Sequence, residues 1–257
     1  MSYVIHKKVV VPDENDLYFV GDIHGCFDLY KSGLRELGIK PSDYVISVGD
    51  LIDRGTENFK CVEHFHNKPN RFAVLGNHEW MMVEGVLHGN EDWKYCWLDN
   101  GGEATFNELG YEGLVPLSTM VKDFPVILEV HHRGKVFGVV HGGVPLRYEN
   151  RGLDYAETSF RDLINNAQYN SQELFNMIWD RDTLEAGQYH ARRNEMLPYV
   201  SGVDAIFHGH SYVEDMTIFV NRVYIDTGSV FNNKICFAWV NEEGSLESYR
   251  TGDNNDL

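Results

Sequence analysis

Short apolar segments that run into a glycine recur along the chain. Five of them are rich in Val, Ile, Leu and Phe: LYFVGD ending at Asp22, YVISVGD at Asp50, FAVLGNH at His78, VFGVVHGG at Gly143 and AIFHGH at His210. Apolar runs of this length that stop at a glycine are typical of buried β-strands. The pattern therefore predicts five strands with polar residues near their ends.

A helical period separates the first two of these strands. In the segment CFDLYKSGLRELGI, the apolar side chains of Phe27, Tyr30, Leu34 and Leu37 recur at the spacing of one helix face. Gly38 follows as a suitable helix end. Strand, helix and strand in this order are typical of a βαβ unit with parallel strands.

Three more apolar segments, PVILEV, RVYIDTGSV and KICFAWV, follow in the second half of the chain. We expect them to form a more antiparallel sheet. The whole pattern predicts an α/β (α+β) fold in which two packed, mixed β-sheets are flanked by helices. We expect one domain over residues 1–257, with helical inserts at about 84–123 and 147–200 and a loosely ordered tail at 242–257.

The composition agrees with a folded protein and argues against one class of partner. Of the 257 residues, 43% are hydrophobic and 24% are charged, which is ordinary for a globular domain. The 22 Lys and Arg against 39 Asp and Glu leave a net charge of −17, which argues against nucleic acid as a partner. A phosphate ester would also be repelled at long range, so a locally positive feature such as bound metal ions must attract it.

The sequence carries no signal for export or for membrane insertion. The N-terminus lacks the apolar core of a signal peptide, and no apolar run reaches the roughly 18 residues of a membrane span. We therefore expect a cytoplasmic protein without a membrane partner, in the host cytoplasm if the gene belongs to a phage. The sequence does not indicate an oligomeric state, and a monomer is the simplest expectation. The four cysteines form no CxxC pair, so neither a zinc knuckle nor a disulfide framework is indicated.

Polar side chains gather where the predicted strands end. These side chains are Asp22, His24, Asp50, Asn77, His78, His141 and His210. In open α/β sheets, ligands bind outside the carboxyl ends of the strands. We therefore expect the seven side chains to line one site.

This set of side chains suits a pair of metal ions. Carboxylate, imidazole and amide oxygen are ligands of divalent first-row metals. One carboxylate can bridge two ions roughly 3.5–4 Å apart, and Asp50, in the middle of the set, is our candidate for that bridge. Two such ions can convert a bound water to hydroxide near neutral pH and clamp the oxygens of a phosphoryl group. The chemistry indicated is phosphate-ester hydrolysis.

Each motif alone has a plain structural alternative. Asp22 in GDIHG could cap the helix that follows, and Asp53 and Arg54 in GDLIDRG could form a surface ion pair. A single His141 or His210 is more often a hydrogen-bonded core histidine than a ligand. Polar endings after all five apolar strands favour a shared site.

Taken in order, the motifs GDIHGC, VGDLIDRG, GNHE, VHGG and GHS resemble the signature of the calcineurin-like metallophosphoesterases. The segments GNHEWMM, IWDRD and YIDTGSVF are similar to the phosphoprotein phosphatase branch, especially to the small protein phosphatases of bacteriophage lambda and of bacteria. The similarity runs from about Leu17 to Val240 and is looser in the inserts. It implies a metallophosphoesterase sandwich that hydrolyses phosphoserine and phosphothreonine in protein substrates, with phosphotyrosine as a further substrate.

The resemblance also implies a role for each residue of the site. Asp22 and His24 would bind the first metal, Asp50 would bridge, and Asn77, His141 and His210 would complete the second metal site. We expect two divalent ions and name Mn²⁺ first, although the same ligands accept Fe or Zn. A hydroxide that bridges the metals would attack phosphorus directly.

The resemblance assigns His78 as the general acid that protonates the leaving alkoxide, oriented by Asp53. An imidazole held by a carboxylate can stay protonated near neutral pH, so the physical argument agrees. Arg54 and Arg181 match the phosphate-binding arginines, whose planar fork fits two phosphoryl oxygens. Other arginines in the second insert compete for that role: Arg151, Arg161, Arg192 and Arg193.

Leu75 departs from the family pattern. Protein phosphatases of this branch usually carry an arginine before GNHE, where it contacts the substrate phosphate. The sequence LGNH instead resembles the diadenosine tetraphosphate hydrolases, although these tend to lack the aspartate that is present here as Asp53. Asp53, EWMM and IWDRD favour the protein phosphatases over the hydrolases.

Three other functions are weighed against a protein phosphatase. A symmetrical diadenosine tetraphosphate hydrolase would use the same metals and a base pocket, for which the candidate aromatic residues are Trp93, Trp97, Tyr111 and Trp179. Phosphodiesterases of this superfamily carry GHxH, whereas Tyr212 stands where that second histidine would fall. A non-catalytic scaffold would not need a complete set of ligands together with His78 and Asp53.

Overall fold

The computed structural model describes residues 3–146, 148–149, 154–155 and 157–252. Within these ranges the strands are β1 His6–Val10, β2 Leu17–Val20, β3 Tyr44–Ser47, β4 Arg71–Ala73, β5 Ile127–His132, β6 Lys135–Val140, β7 Tyr148–Glu149, β8 Asp154–Tyr155, β9 Thr158–Ser159, β10 Val200–Ser201, β11 Ala205–His208, β12 Thr217–Phe219, β13 Arg222–Tyr224, β14 Cys236–Val240 and β15 Leu246–Arg250. The five strands predicted to end at glycine are all present, as β2, β3, β4, β6 and β11.

Helices connect these strands and form most of both inserts. They are α1 Phe27–Glu36, α2 Asn58–Asn67, α3 Asn77–Val86, α4 Glu91–Trp97, α5 Glu103–Lys122, α6 Phe160–Tyr169, α7 Ser171–Trp179, α8 Asp182–Ala191 and α9 Ser229–Asn232. A π-helical turn, Leu98–Gly102, joins α4 to α5. The predicted helix between the first two strands is α1, and Gly38 follows it with a φ of 63°. Only glycine adopts this backbone without strain.

The first sheet has the order β15-β14-β2-β3-β4. β2, β3 and β4 are parallel, as the βαβ pattern predicts, and β14 and β15 extend the sheet in antiparallel fashion. β15 corrects the prediction of a loosely ordered tail for Leu246–Arg250, which pairs along its whole length with Cys236–Val240. Residues 253–257 of the predicted tail lie outside the described residues. Paired backbone groups give this polar segment an order that its composition does not indicate.

The second sheet has the order β1-β5-β6-β11-β13-β12 and is mixed. β11 is parallel to both β6 and β13, whereas β5 is antiparallel to β6. The expectation that PVILEV, RVYIDTGSV and KICFAWV share one sheet was wrong for the last, because its strand β14 pairs with β2 of the first sheet. Partner choice depends on non-local packing, which local apolar runs do not encode.

The two sheets pack face to face, as predicted. Phe19 of β2 stacks on Phe207 of β11 with ring centroids 3.7 Å apart, and Phe137 of β6 meets Phe19 edge-on at 5.6 Å. These rings belong to a buried cluster that draws on strands of both sheets. A second cluster packs the helices on the sheets. This core fixes the strand ends relative to one another.

Strand ends of the two sheets meet at one edge of the sandwich. A Cβ at Gly49, just after β3, would lie 2.7 Å from Nδ1 of His141, which follows β6. A Cβ at Gly209, just after β11, would collide with the carboxylate of Asp22, which follows β2. Glycine is required at both positions because the loops of opposite sheets touch there.

Candidate metal centre

The loops at this edge hold several residues in the left-handed region of backbone conformation. His24, Asp50, Asp53, Arg54 and His210 have φ values of 46°, 48°, 74°, 69° and 62°. For residues with a Cβ this conformation is costly and persists only where the surroundings enforce it. Strained residues of this kind cluster at functional sites. Here the unusual backbone conformation directs the side chains into the site.

Two anchors enforce this backbone. The carbonyl oxygen of Asp50 accepts hydrogen bonds from the backbone N–H groups of Ile23 and His24, at 3.0 and 2.9 Å. Glu79, in the first turn of α3, is fully buried, and its carboxylate accepts four hydrogen bonds from backbone N–H groups, those of Asp50, Leu51, Ile52 and Gly76. No role was predicted for Glu79 from the sequence, because the loop that it binds lies far away along the chain.

The first group of candidate ligands consists of His24, Asp50 and His78. Nδ1 of His24 donates to the carbonyl oxygen of Ile52 at 2.8 Å, which turns Nε2 towards Oδ2 of Asp50 at 3.6 Å. Desolvation, with the charge of His78, lowers the pKa of His24 to about 3. The imidazole is therefore neutral and has a lone pair for a metal.

The second group consists of Asp50, His141 and His210, with Asn77 between them. Nε2 of His141 lies 3.3 Å from Oδ1 of Asp50 and 3.0 Å from Oδ1 of Asn77. Nδ1 of His210 lies 2.8 Å from the same oxygen of Asn77. Nδ1 of His141 donates to the carbonyl oxygen of Val48 at 2.7 Å, which fixes the ring. Asp50 belongs to both groups, in the position expected of a bridge.

Asp22 lies beside both groups. Its Oδ2 accepts a hydrogen bond from the backbone N–H of His210 at 3.0 Å, whereas its buried Oδ1 has no hydrogen-bond partner among the described residues. Desolvation and the nearby charge of Asp226 raise the pKa of Asp22 well above its ordinary value. Asp226, in YIDTG, was not predicted as a site residue, and only its position in that shared segment could have indicated it.

The residues fit a pair of divalent cations. Burial disfavours a charged ring at His141, but the negative charge of Asp50 outweighs it and raises the pKa of His141 to about 10. Buried carboxylates here thus attract positive charge, while Oδ1 of Asp22 and Nε2 of His210 find no hydrogen-bond partner in the described part of the chain. Oxygen and imidazole donors of this kind suit Mn, Fe or Zn. All six predicted ligands, Asp22, His24, Asp50, Asn77, His141 and His210, therefore lie together.

His78 lies next to the ligands and is bonded to Asp53. Its Nδ1 donates to Oδ2 of Asp53 at 2.7 Å, and its Nε2 lies 3.9 Å from Oδ2 of Asp50. Burial disfavours the charged ring, but Asp50 and Asp53 more than offset it and raise the pKa of His78 above its ordinary value. The pair predicted from GDLIDRG and GNHE is therefore brought together.

The predicted phosphate-binding arginines differ in position. Arg54 extends its guanidinium into the site, with Nη1 2.7 Å from Nε2 of His24 and Nη2 2.9 Å from Nε2 of His78. Arg181 is exposed just after α7 and is close enough to contribute to the lowering of the pKa of His210 to about 2, for which desolvation is the largest cause. Arg54 is therefore placed to bind an anion at the ligands, whereas Arg181 adds positive charge near His210.

The competing arginines find other surroundings. Arg161 lines a separate cavity of about 260 Å³ with Glu129 and Ser201. The guanidinium of Arg193 stacks over the ring of Tyr189 at 3.7 Å. Arg192 is an exposed residue at the end of α8. Arg151 lies outside the described residues.

Leu75 does not face the site. Its side chain is fully buried in the helix-side core, and its backbone N–H donates to the carbonyl oxygen of Pro125 at 2.9 Å. An arginine at this position would not reach a phosphate from the observed backbone. The departure from the family pattern therefore lies in the core rather than in the phosphate pocket.

We expect Leu75→Arg to destabilise the protein instead of tightening phosphate binding. Burial of an unpaired guanidinium should lower the free energy of unfolding by at least about 3 kcal/mol. Urea denaturation would measure this, with Leu75→Met as the matched control because it conserves volume and should cost less than about 1.5 kcal/mol. Tighter inhibition by inorganic phosphate at unchanged stability would place the side chain in the pocket after all.

The comparison with known proteins now decides the family. The model of the calcineurin-like phosphoesterase family matches residues 16–214, which is well over half of the chain. The chain is a calcineurin-like phosphoesterase. This phosphoesterase is 31% identical over 228 residues to serine/threonine-protein phosphatase 2 of Salmonella typhimurium, covering 86% of this chain and 91% of that protein.

Two further comparisons place this phosphoesterase among its relatives. It is 39% identical over 74 residues to a symmetrical bis(5'-nucleosyl)-tetraphosphatase of Shewanella frigidimarina, which covers 28% of this chain and 26% of that protein. A solved serine/threonine phosphatase of Saccharomyces cerevisiae shares the fold with a TM-score of 0.62 at 13% identity, over 96% of this chain and 83% of that chain. The predicted sandwich is thus confirmed.

The family implies divalent metal ions, and this phosphoesterase supplies candidate ligands for them. Within the described ranges, none of its helices is both long and apolar enough to cross a membrane. The monomeric state and the cytoplasmic location stay predictions.

Proposed function

We propose that this phosphoesterase is a dinuclear-metal-dependent serine/threonine protein phosphatase that hydrolyses phosphate monoesters in protein substrates. The observation that carries the proposal is the His78–Asp53 pair, 2.7 Å apart, directly beside the ligand set. An alkoxide such as that of serine is a poor leaving group and needs a proton donor. The similarity to a bacterial serine/threonine-protein phosphatase over most of both chains supports the same substrate class.

Asp22, His24, Asp50, Asn77, His141 and His210 would hold the two ions, with Asp50 shared between them. When bound, the pair would lower the pKa of a water molecule and neutralise phosphoryl oxygens. Mn²⁺ is our first candidate, and Fe or Zn fits the same donors. The backbone bonds to Glu79 keep the loop of Asp50 in place, so the ligands are preorganised before substrate arrives.

The arginines would bind and orient the phosphoryl group. The guanidinium of Arg54 lies between Nε2 of His24 and Nε2 of His78, so it can turn from these rings to two phosphoryl oxygens. Arg181 would approach from the exposed end of α7. The guanidinium groups of Arg54 and Arg181 also supply local positive charge, which would attract a phosphorylated substrate to an otherwise acidic protein.

Proton transfer would complete the reaction. Water adds to phosphorus, the bond from phosphorus to the serine oxygen breaks, and Nε2 of His78 gives its proton to the departing oxygen. Asp53 holds Nδ1 of the same ring and stabilises its charged form. The products are inorganic phosphate and the free hydroxyl of the protein. Since the site acts on phosphorus without reading the alcohol, phosphothreonine and phosphotyrosine fit the same scheme.

A symmetrical diadenosine tetraphosphate hydrolase is the second candidate, and Trp179 is the observation that favours it. The Trp179 ring borders the site, with its centroid 6.0 Å from that of His210, and is itself stacked on Phe175 at 5.7 Å. Trp97, by contrast, is buried and donates to Asp53. Trp93 packs against Trp80 with centroids 4.5 Å apart, and Tyr111 lines a groove next to Trp97.

The two candidates are separated by a direct comparison of substrates. Manganese-loaded protein should turn over a phosphoserine peptide at least about tenfold better, in kcat/KM, than diadenosine tetraphosphate. Phosphate release measures the first reaction and formation of ADP the second, with Asp50→Asn as the blank. Preference for the dinucleotide would establish the second candidate, and no turnover of either substrate or of p-nitrophenyl phosphate would indicate a non-catalytic scaffold.

A further inference from the structure

The carboxylate of Asp53 is completely buried and accepts hydrogen bonds from two residues of the first insert, 84–123. Oδ2 accepts hydrogen bonds from Nδ1 of His78 at 2.7 Å and from the indole Nε1 of Trp97 at 2.9 Å. Oδ1 accepts a hydrogen bond from the hydroxyl of Thr105 at 2.6 Å. Trp97 is the last residue of α4, and Thr105 lies in the first turn of α5. A polar group this deep in the protein requires partners, and the insert supplies two of the three.

We propose that Trp97 and Thr105 are positioning residues, which fix the orientation of the Asp53 carboxylate and thereby aim Nε2 of His78 at the leaving oxygen. The inference rests on the proposed function, because it acts through His78 as the proton donor. It gives a role to the first insert, which was predicted from the sequence only as a helical insert where the family similarity is looser. The insert would contribute to the chemical step for esters with poor leaving groups.

The two donors from the insert hold the Asp53 carboxylate in one orientation. With His78 as its only partner, the carboxylate could rotate about its Cβ–Cγ bond and carry the ring with it. Trp97 and Thr105 donate to opposite oxygens, so only one orientation satisfies both. A proton donor displaced by about 1 Å can lose as much as 100-fold in rate, so this restraint has a kinetic consequence.

Further bonds attach the insert to the loop that carries Asp53. The backbone N–H of Arg54 donates to the carbonyl oxygen of Gly101 at 3.1 Å. Asn58 accepts a bond from the backbone N–H of Asp53 at 2.7 Å and donates its own N–H and its side-chain amide to Oε2 of Glu108, at 2.7 and 2.8 Å. The insert and this loop are therefore bonded at several independent points.

The segment that joins α4 to α5 is built for this approach. Gly101 has a φ of 109° and packs on Arg54, whose Cγ would lie 2.7 Å from a Cβ at that position. A Cβ at Gly102 would collide with the indole ring of Trp97. The sequence WLDNGG thus turns the chain tightly enough for Trp97 and Thr105 to reach the same carboxylate.

Three substitutions test the positioning role. Trp97→Phe keeps an aromatic ring but removes the N–H, Thr105→Val keeps the shape but removes the hydroxyl, and Thr105→Ser keeps the hydroxyl. Each is assayed as manganese-loaded protein with a phosphoserine peptide and with p-nitrophenyl phosphate, whose leaving group needs little protonation. Metal content is measured for every variant. Ser118→Ala is the matched control, because Ser118 lies buried on the same helix and its hydroxyl has no partner within the described ranges.

We expect selective effects on the peptide. Trp97→Phe and Thr105→Val should lower kcat for the phosphoserine peptide about tenfold, and kcat for p-nitrophenyl phosphate by less than about twofold, with metal content unchanged. Thr105→Ser and Ser118→Ala should behave as wild type. In a His78→Asn background, neither Trp97→Phe nor Thr105→Val should cause any further loss, because both act through His78.

The outcomes separate this inference from the proposed function. If His78→Asn itself slows both substrates equally, the general-acid assignment is wrong. If His78→Asn is selective but Trp97→Phe and Thr105→Val slow both substrates equally, slow neither, or add to the loss in His78→Asn, the positioning role is wrong. Should Trp97→Phe fail to fold, the comparison of Thr105→Val with Thr105→Ser decides the question, because it tests the other oxygen of Asp53.

Discussion

Asp50→Asn is expected to lower metal content and phosphatase turnover together. Asp50 is a member of both ligand groups: its Oδ1 lies 3.3 Å from Nε2 of His141, and its Oδ2 lies 3.6 Å from Nε2 of His24. An amide cannot bridge two cations as a carboxylate does. The loss should amount to at least about 10³-fold in kcat/KM, since a metal pair supplies several kcal/mol of transition-state stabilisation.

Elemental analysis of purified protein, together with turnover of the phosphoserine peptide, checks this prediction. Asp43→Asn is the matched control, because Asp43 is also a buried carboxylate that accepts backbone hydrogen bonds but lies outside both ligand groups. It should keep wild-type metal content. Full metal content and undiminished turnover in Asp50→Asn would remove Asp50 as the shared ligand.

The His78→Asn variant is expected to retain its metal content but to hydrolyse a phosphoserine peptide much more slowly. Removal of a general acid should lower kcat for a phosphoserine peptide by roughly 10²- to 10⁴-fold, and for p-nitrophenyl phosphate much less. A general acid must carry its proton, so the wild-type rate should fall as pH rises through the pKa of His78. This alkaline fall should be absent in the variant.

The readouts are pH profiles of kcat for both substrates, with metal content in parallel. His132→Asn provides the control, as His132 is a buried histidine whose Nε2 lies 3.0 Å from a backbone carbonyl oxygen, that of Asn15, and which belongs to neither ligand group. An unchanged rate with phosphoserine in His78→Asn would show that another group donates the proton.

The strand ends were predictable because their signals are local. An apolar run followed by glycine marks a buried strand and its end without reference to the rest of the chain. Parallel strands place such ends at one edge of a sheet, so the sequence predicts that Asp22, Asp50 and Asn77 lie close together. The same reasoning could not place Asp226, which lies near Asp22 because the loops after β2 and β13 touch: a Cβ at Gly21 would lie 3.6 Å from Cα of Asp226.

Other predictions failed where the answer depends on distant parts of the chain. β14 joined the first sheet because it pairs with β2, more than 200 positions earlier in the chain. Within the polar tail, Leu246–Arg250 became β15 because an edge strand was available to pair with it. Leu75 follows a strand like the site residues, yet its side chain points into the helix-side core. Successive side chains along an extended segment point to opposite faces, so a shift of one residue reverses the face. Composition does not indicate which face a given side chain takes.

The sequence by itself determined which chemical groups the site contains and which strands carry them, since both follow from residue type and local periodicity. Only the tertiary structure decided how those groups are held. Glu79 bonded to the loop of Asp50, and Trp97 and Thr105 bonded to Asp53, join segments that are distant along the chain. Such contacts arise from the packing of whole elements against one another, which no local pattern of residues specifies.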